Sequence, residues 1–224
     1  MHAFPTIPGS CTKVCPGYVV EILDDNNEVV DPPQLGKVSI KCPLPPSFMT
    51  TLWGNDDAFK EKYFSESPGY YTTGDAGYFN EAGYLHIMTR NDDVINTAGH
   101  RLSSGRFEEV INEHPSIVES ACVAVWDKVR GEQPVAFMIP ASGIDYNEED
   151  LKKEIVAKVR KDIGAFAKLG ALLIVSRLPK TRSGKILRGT IKSIANKLHH
   201  KVPATIEDET VLDEIKEALK SLEE

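Results

Sequence analysis

Around Arg90–Asp93 the chain changes its hydrophobic period, and that change limits what it can fold into. Before it, apolar residues alternate or come in short runs split by turn residues. "YVVEILDDNNEVV" sets apolar runs on either side of Asp24, Asp25, Asn26 and Asn27, a hairpin signal. "GKVSIKC" alternates with period two. "DAGYFNEAGYLHIM" repeats the hairpin pattern around "NEAG". A short helical stretch, "NDDAFKEKYF", lies between them. These segments predict a β-rich subdomain, barrel-like or sandwich-like.

Past "RNDDVI" strands and helices mix. "SSGRFEEVINEHP" predicts a helix, with Ser103 or Ser104 as N-cap and Pro115 beyond its end. "VESACVAVW", "PVAFMIP" and "ALLIVSRLP" read as strands. "NEEDLKKEIVAKVRKDIG" is the clearest helix: Leu151, Ile155, Val159 and Ile163 form one stripe, Asn147 caps it and Gly164 ends it. "KILRGTIKSIANKL" is a second amphipathic helix. Residues 203–207 read as a connector, and "EDETVLDEIKEALKSL" as a last helix with acidic residues at its start. The expected class is α+β, a β-rich subdomain over residues 1–91 followed by a small mixed α/β domain over 92–203 and a C-terminal helix within 204–224. The junction has no Gly or Pro linker, and its polarity alone marks the boundary.

The totals exclude several classes. Hydrophobic residues make up 41% and charged residues 26% of the 224, so neither disorder nor a collagen-like repeat fits. The formal charge of -7 argues against a general nucleic-acid binder, which needs a basic surface, though a local basic patch is compatible with it. Cys11 and Cys15 lie close together, but Cys42 and Cys122 form no second pair at metal-ligand spacing. No metal site is therefore expected, and the cysteines read as free intracellular thiols. The start lacks the basic and apolar regions of a signal peptide. No apolar run reaches the roughly 20 residues of a membrane span. The expected location is intracellular, in the cytosol or the mitochondrial matrix.

Three stretches could carry chemistry. In "YYTTGDAGY", Asp75 after Gly74 could present a carboxylate to vicinal hydroxyls, or could satisfy turn N–H groups instead. "TRNDDVINTAGHRLSSG" gathers Arg90, Asp92, Asp93, His100 and Arg101 around Gly99. Arginine suits bidentate phosphate recognition and glycine allows close backbone approach, while a solvated loop with ordinary ion pairs is the plainer alternative. "LPKTRSGKILRG" resembles a phosphate loop but fails the pattern, because Ile186 follows Lys185 and no glycine precedes it at the required distance. What remains is Lys185 on a mobile, glycine-bearing turn, suited to charge that develops on a phosphoryl or carboxylate oxygen, or else a basic surface loop.

In this order and spacing, "YTTGD", "RNDDVINTAGHRL" and "PKTRSGK" resemble the signatures of the adenylate-forming superfamily, in particular the AMP-forming short-chain acyl-CoA synthetases. The resemblance runs over essentially the whole chain. "LWGNDDAFKEKYF" and "PGYYTTGDAGYFNEAGYLHIMTRNDDVINTAGHRLSSG" are most similar to the propionate-type branch, near acetyl-CoA synthetases.

The resemblance implies a two-step reaction. A carboxylate attacks the α-phosphate of ATP to give an acyl-adenylate and pyrophosphate, and the thiol of coenzyme A then displaces AMP. By matching position, Asp75 would hold the ribose hydroxyls with help from Arg90, and Arg101 would approach the phosphates. Asp92 would be the hinge between the half-reactions and Lys185 the adenylation lysine. Gly99 would line the pantetheine tunnel and Arg160 would meet the nucleotide end of coenzyme A. The implied ligands are ATP or AMP, coenzyme A, a short-chain carboxylate and Mg2+, the ion held mostly by subdomains not represented in these residues.

The family's Ser/Thr/Gly-rich phosphate loop and its aromatic-Gly-x-Thr-Glu run do not occur in this sequence. The chain alone is thus expected not to complete adenylation. Two readings stand: part of a full synthetase, or a non-catalytic nucleotide- or coenzyme A-binding or assembly subunit derived from one. Either implies exposed apolar surface to be covered by the N-terminal adenylation subdomains or another protein. "GAFAKLG" departs from the family, which has a proline after Gly164.

Overall fold

The computed structural model describes residues 4–144, 146–200 and 202–220. It divides into two compact units, one up to Asp92 and one from Asp93 onward.

The first unit is a four-stranded antiparallel sheet in the order β1-β2-β3-β4 with one helix. Its strands are β1 (Val20–Leu23), β2 (Gly36–Lys41), β3 (Tyr70–Phe79) and β4 (Leu85–Arg90). The Asp24–Asn27 turn forms as expected: the Asp24 carboxylate accepts from the N–H groups of Asn26 and Glu28 at 2.8 and 2.9 Å. The returning arm pairs only at Leu23–Val29, so it is shorter than the apolar run suggested. The "NEAG" turn closes through the Gly83 N–H on the Asn80 carbonyl at 2.8 Å. Helix α1 (Asp56–Phe64) is capped by Asn55, and it packs Tyr63 flat on Tyr71 of β3, with ring centroids 4.9 Å apart.

The second unit has a five-stranded sheet buried on both faces. Its strands are β5 (Val94–Thr97), β6 (His100–Ser103), β7 (Ile117–Asp127), β8 (Gly131–Pro140) and β9 (Ala171–Ile174). The order is β6-β5-β8-β7, and β9 runs parallel to β8. Its helices are α2 (Ser104–Asn112), α3 (Glu148–Asp162), α4 (Arg188–Ala195) and α5 (Val211–Lys220). Strand alternation decides which side chain goes where. Cys122, Ala124, Ala136, Met138 and Leu172 face Phe107 and Ile111 of α2 and Ile155 and Val159 of α3. Ala121, Val123, Val135, Phe137 and Leu173 face Ile191 of α4 and Ile215 of α5. Burial on both sides explains why these strands read as unbroken apolar runs.

Local details differ from the expectations. "VINTAGHRLS", for which a solvated loop was the plainer alternative, forms a hairpin, β5–β6, turning at Ala98 and Gly99, whose φ values are +49° and +82°. Two positive φ values in a two-residue turn suit the twist of paired strands. Helix α4 begins at Arg188 rather than Lys185, because residues 180–187 are used by another hairpin. Ser103 is the N-cap of α2 but makes no side-chain capping bond. The last helix starts at Val211, and the end of its expected span, residues 221 and 222, lies outside the described residues. No described helix is long and apolar enough to cross a membrane.

Candidate functional site

The site residues of the first unit meet at a break in β3. Between Lys37 and Ser39 the β2–β3 register jumps from Ala76 to Thr72, so Thr73, Gly74 and Asp75 bulge out of the ladder. Gly74 supplies the φ of +79° that the bulge needs. Thr73 ties it down, donating from Oγ1 to the Val38 carbonyl at 2.7 Å and accepting the Asp75 N–H at 3.1 Å. Asp75 then stands opposite Arg90 of β4. The Arg90 guanidinium lies 3.5 Å from the Asp75 carboxylate and 3.4 Å from that of Asp92, and all three side chains keep solvent access. It also covers Gly74, where a Cβ would come within 2.8 Å of Nη2. Asp75 and Arg90, coupled by the resemblance, are therefore brought together, and Asp92 of the expected Arg90–Arg101 cluster joins them.

In the second unit the expected residues separate into two groups, at opposite ends of the β7–β8 hairpin. Thr97 pairs with Gly131 and the Ala98 N–H reaches the Arg130 carbonyl at 3.0 Å, which fixes the Gly99 turn beside the Asp127–Gly131 end. The α3–β9 loop reaches the same end, where Phe166 stacks on His100 with ring centroids 4.6 Å apart. Arg160 is exposed in the last turn of α3, just before that loop, and Arg101 lies next but one to Gly99 on β6. Arg130, Lys168 and Gln133 line an open cleft of about 290 Å³ at this end. The Asp127 carboxylate sits below its usual range because it accepts the N–H groups of Arg130 and Val129, which holds the β7–β8 turn. Open space surrounds Gly99, so the turn requires its glycine for φ, not for room.

Lys185 occupies the other end. Thr181 accepts the Gly184 N–H at 2.8 Å and donates its own N–H to the Lys185 carbonyl at 2.9 Å. Gly184 has φ +81°, the left-handed residue of a short hairpin turn. Thr181 Oγ1 also receives the Lys185 N–H at 3.1 Å. Both arms of the turn are tied. Arg182 N–H bonds the Thr205 carbonyl and Glu207 N–H bonds the Lys180 carbonyl, each at 2.9 Å, so the connector runs alongside the hairpin. Lys180 pairs with Glu119 of β7 at 2.7 Å. Glu119 and Asp127 are eight residues apart on one strand, roughly 26 Å at the usual rise per residue. The Lys185 side chain itself is exposed.

Several residues that hold this arrangement gave no sequence signal. Glu108 of α2 is buried and takes both arms of the Arg188 guanidinium, at 2.7 and 2.6 Å. That bond raises the Arg188 pKa above its ordinary value. Glu108 also accepts the Cys122 N–H at 2.9 Å, and burial pushes the Cys122 thiol well up. Asn196 accepts the Trp126 N–H and donates to the Ala124 carbonyl, at 2.8 and 2.9 Å. Glu108 and Asn196 thus cover the outer edge of β7, which pairs with a strand on one side alone. No group of three or more His, Cys, Asp or Glu that could hold a metal ion occurs among the described residues.

Comparison with known proteins agrees with this fold. Residues 106–185 match the AMP-binding enzyme C-terminal domain. The chain is 45% identical over 213 residues to acyl-CoA synthetase short-chain family member 3, mitochondrial, of Mus musculus, covering 95% of this chain and 31% of that one. It is 36% identical to the acetyl-coenzyme A synthetase of Pyrobaculum arsenaticum, over 99% of this chain and 33% of that one. The crystal structure of the anthranilate CoA ligase AuaEII in complex with anthranoyl-AMP matches with a TM-score of 0.69 at 26% identity, over 86% of this chain and 36% of that one. The chain spans about a third of the length of the curated relatives it matches.

Proposed function

Since residues 106–185 carry an AMP-binding enzyme C-terminal domain, we propose that this chain provides the C-terminal part of an AMP-forming short-chain acyl-CoA synthetase. The reaction converts a carboxylate, ATP and coenzyme A to acyl-CoA, AMP and pyrophosphate, with propionate the favoured acid. In this reading Asp75 accepts the two ribose hydroxyls of the nucleotide. Arg90, already between two carboxylates, steadies Asp75, and Arg101 approaches the phosphates. The location proposed is the cytosol or the mitochondrial matrix, and a relative whose name says mitochondrial is compatible with the second.

The observation that carries the proposal is the separation of Lys185 from Gly99 within one unit. In adenylation a carboxylate must approach a phosphate, and the Lys185 ammonium offsets the repulsion between the two anions. In the second step the thiol needs the same carbonyl, so that ammonium has to leave. A unit with Lys185 at one end and Gly99 with Arg160 at the other can serve both steps by turning about Asp92. Gly99, in open space, gives the pantetheine arm a backbone to lie against, and Arg160 meets the nucleotide end of coenzyme A. The described residues offer no group of three or more His, Cys, Asp or Glu for Mg2+, and in this reading the ion is held mostly by the N-terminal subdomains.

ATP–pyrophosphate exchange with acetate, propionate and butyrate tests this. Exchange is expected when the chain is joined to the N-terminal part of a short-chain synthetase, fastest with propionate, and not with the chain alone. Exchange by the chain alone contradicts the proposal. Coenzyme A binding without exchange in the joined protein favours the second reading, a non-catalytic binding or assembly subunit.

A further inference from the structure

The first residue of α4 carries the wrong charge for its position. A helix N-terminus favours anions, yet α4 begins with Arg188, has no acidic residue in its first turn and lacks a side-chain cap. The balancing charge comes from far along the chain. Glu108 of α2 meets Arg188 as a two-bond fork, and its Oε1 atom also takes the Cys122 N–H of β7. The carboxylate of Asp93 adds to the negative field at the guanidinium.

The fork closes one stem of the Lys185 turn. Between Lys185 and Arg188, Ile186 pairs back to Lys180 and the Leu187 N–H bonds the Pro179 carbonyl at 2.9 Å. The other stem is held by Lys180 on Glu119. An ammonium that stabilises developing charge must be in position before the reaction, because reorganising it during the step forfeits the gain. We propose that Glu108 is a positioning residue for Lys185, acting through Arg188 to fix the stem of the lysine turn on α2 and β7. This rests on the reading of Lys185 as the adenylation lysine. It adds that the lysine's place is set by a carboxylate bonded to Arg188 and the Cys122 N–H rather than to Lys185. Thioester formation uses the opposite end of the unit and is independent of the fork.

The test measures amide hydrogen exchange in the full chain carrying Glu108→Gln. The amides of Thr181, Gly184, Lys185 and Leu187 accelerate at least about 10-fold more than those of α3 from Ile155 to Val159, which report any general loss of stability of the unit. Unchanged turn amides, or an acceleration shared equally by α3, overturn the proposal. The double variant Glu108→Gln with Arg188→Gln removes both charges and guards against simple collapse from a buried unpaired ion. It shows the same selective loosening, and full protection of its turn overturns the idea. In the chain joined to an N-terminal synthetase part, Glu108→Gln lowers ATP–pyrophosphate exchange about 10-fold or more and leaves thioester formation from supplied acyl-adenylate within about 2-fold. Equal losses in both half-reactions overturn the positioning role. Lys185→Ala, run alongside, separates the two layers. Intact exchange in that variant overturns the reading of the lysine and the catalytic half of this proposal, whereas loosened turn amides in Glu108→Gln still report the clamp.

Discussion

At the Gly99 end of the second unit, the expected site residues sit on turns closed by short-range bonds and docked by strand pairing on β8, and at the Lys185 end on a turn whose stems are held by ion pairs to distant segments. The Gly99 hairpin turns on two positive-φ residues, and the neighbouring β7–β8 turn is closed by its own Asp127. The Lys185 turn depends on Glu108, Glu119 and the 205–207 segment. A local turn can be altered at modest cost. A buried ion pair cannot lose one partner without leaving a stranded charge. The Lys185 end should therefore be the more fragile of the two, and the more dependent on the rest of the fold.

Arg188→Ala gives the largest expected effect of this kind. It leaves the buried Glu108 carboxylate without its fork and destabilises the second unit by about 3 kcal/mol, read from its thermal unfolding. A loss below about 1 kcal/mol would erase the contrast, because that is the range of an exposed pair such as Arg90 with Asp75. Asp75→Asn tests that exposed pair. The variant should melt like the parent yet bind adenine nucleotide about 10-fold more weakly in the joined enzyme, since a charged acceptor to two hydroxyls becomes a neutral one. Unaltered nucleotide affinity would return Asp75 to the role of a turn residue.

Gly99→Ala should cost about 1 kcal/mol, because φ +82° strains any side chain although open space surrounds it. A much larger loss would mean that the hairpin tip is more than a local turn. The smallest effect concerns Asp208 at the Lys185 end, which Thr210 and Arg177 hold down to a pKa of about 2. A depressed carboxylate contributes above its ordinary 3.8 and loses that contribution as pH falls from 3.8 to about 2. Asp208→Ala should thus lower the melting temperature slightly at neutral pH, with the deficit shrinking as pH falls through about 2. The same deficit at every pH would assign the effect to packing.

The same contrast explains what the sequence made legible. Asn147, the Leu151–Ile155–Val159 stripe and the "NEAG" turn act within a few residues, and each lies where its local pattern indicated. Asp75 with Arg90 was readable through the family resemblance alone, and the β3–β4 pairing that sets them opposite each other supplies the physical reason. The β5–β6 hairpin is not legible in the sequence, because Ala-Gly is a weaker turn signal than Asn-Gly. Glu108 and Arg188 lie 80 positions apart, and nothing in "FEEV" or "ILRG" marks the one Glu that turns inward. Asn196 covers a strand 70 positions away and is equally silent in sequence. Side chains that join distant elements leave no period and no motif.

The central claim is that Lys185 serves one half-reaction and stands apart from the other. It is tested most directly by Lys185→Ala in the chain joined to the N-terminal part of a short-chain synthetase, with the two half-reactions measured separately. Adenylate formation should fall by about 100- to 1,000-fold, the loss typical of removing one charge-stabilising group, while thioester formation from supplied acyl-adenylate stays near the parent rate. Equal losses in both half-reactions would contradict the account.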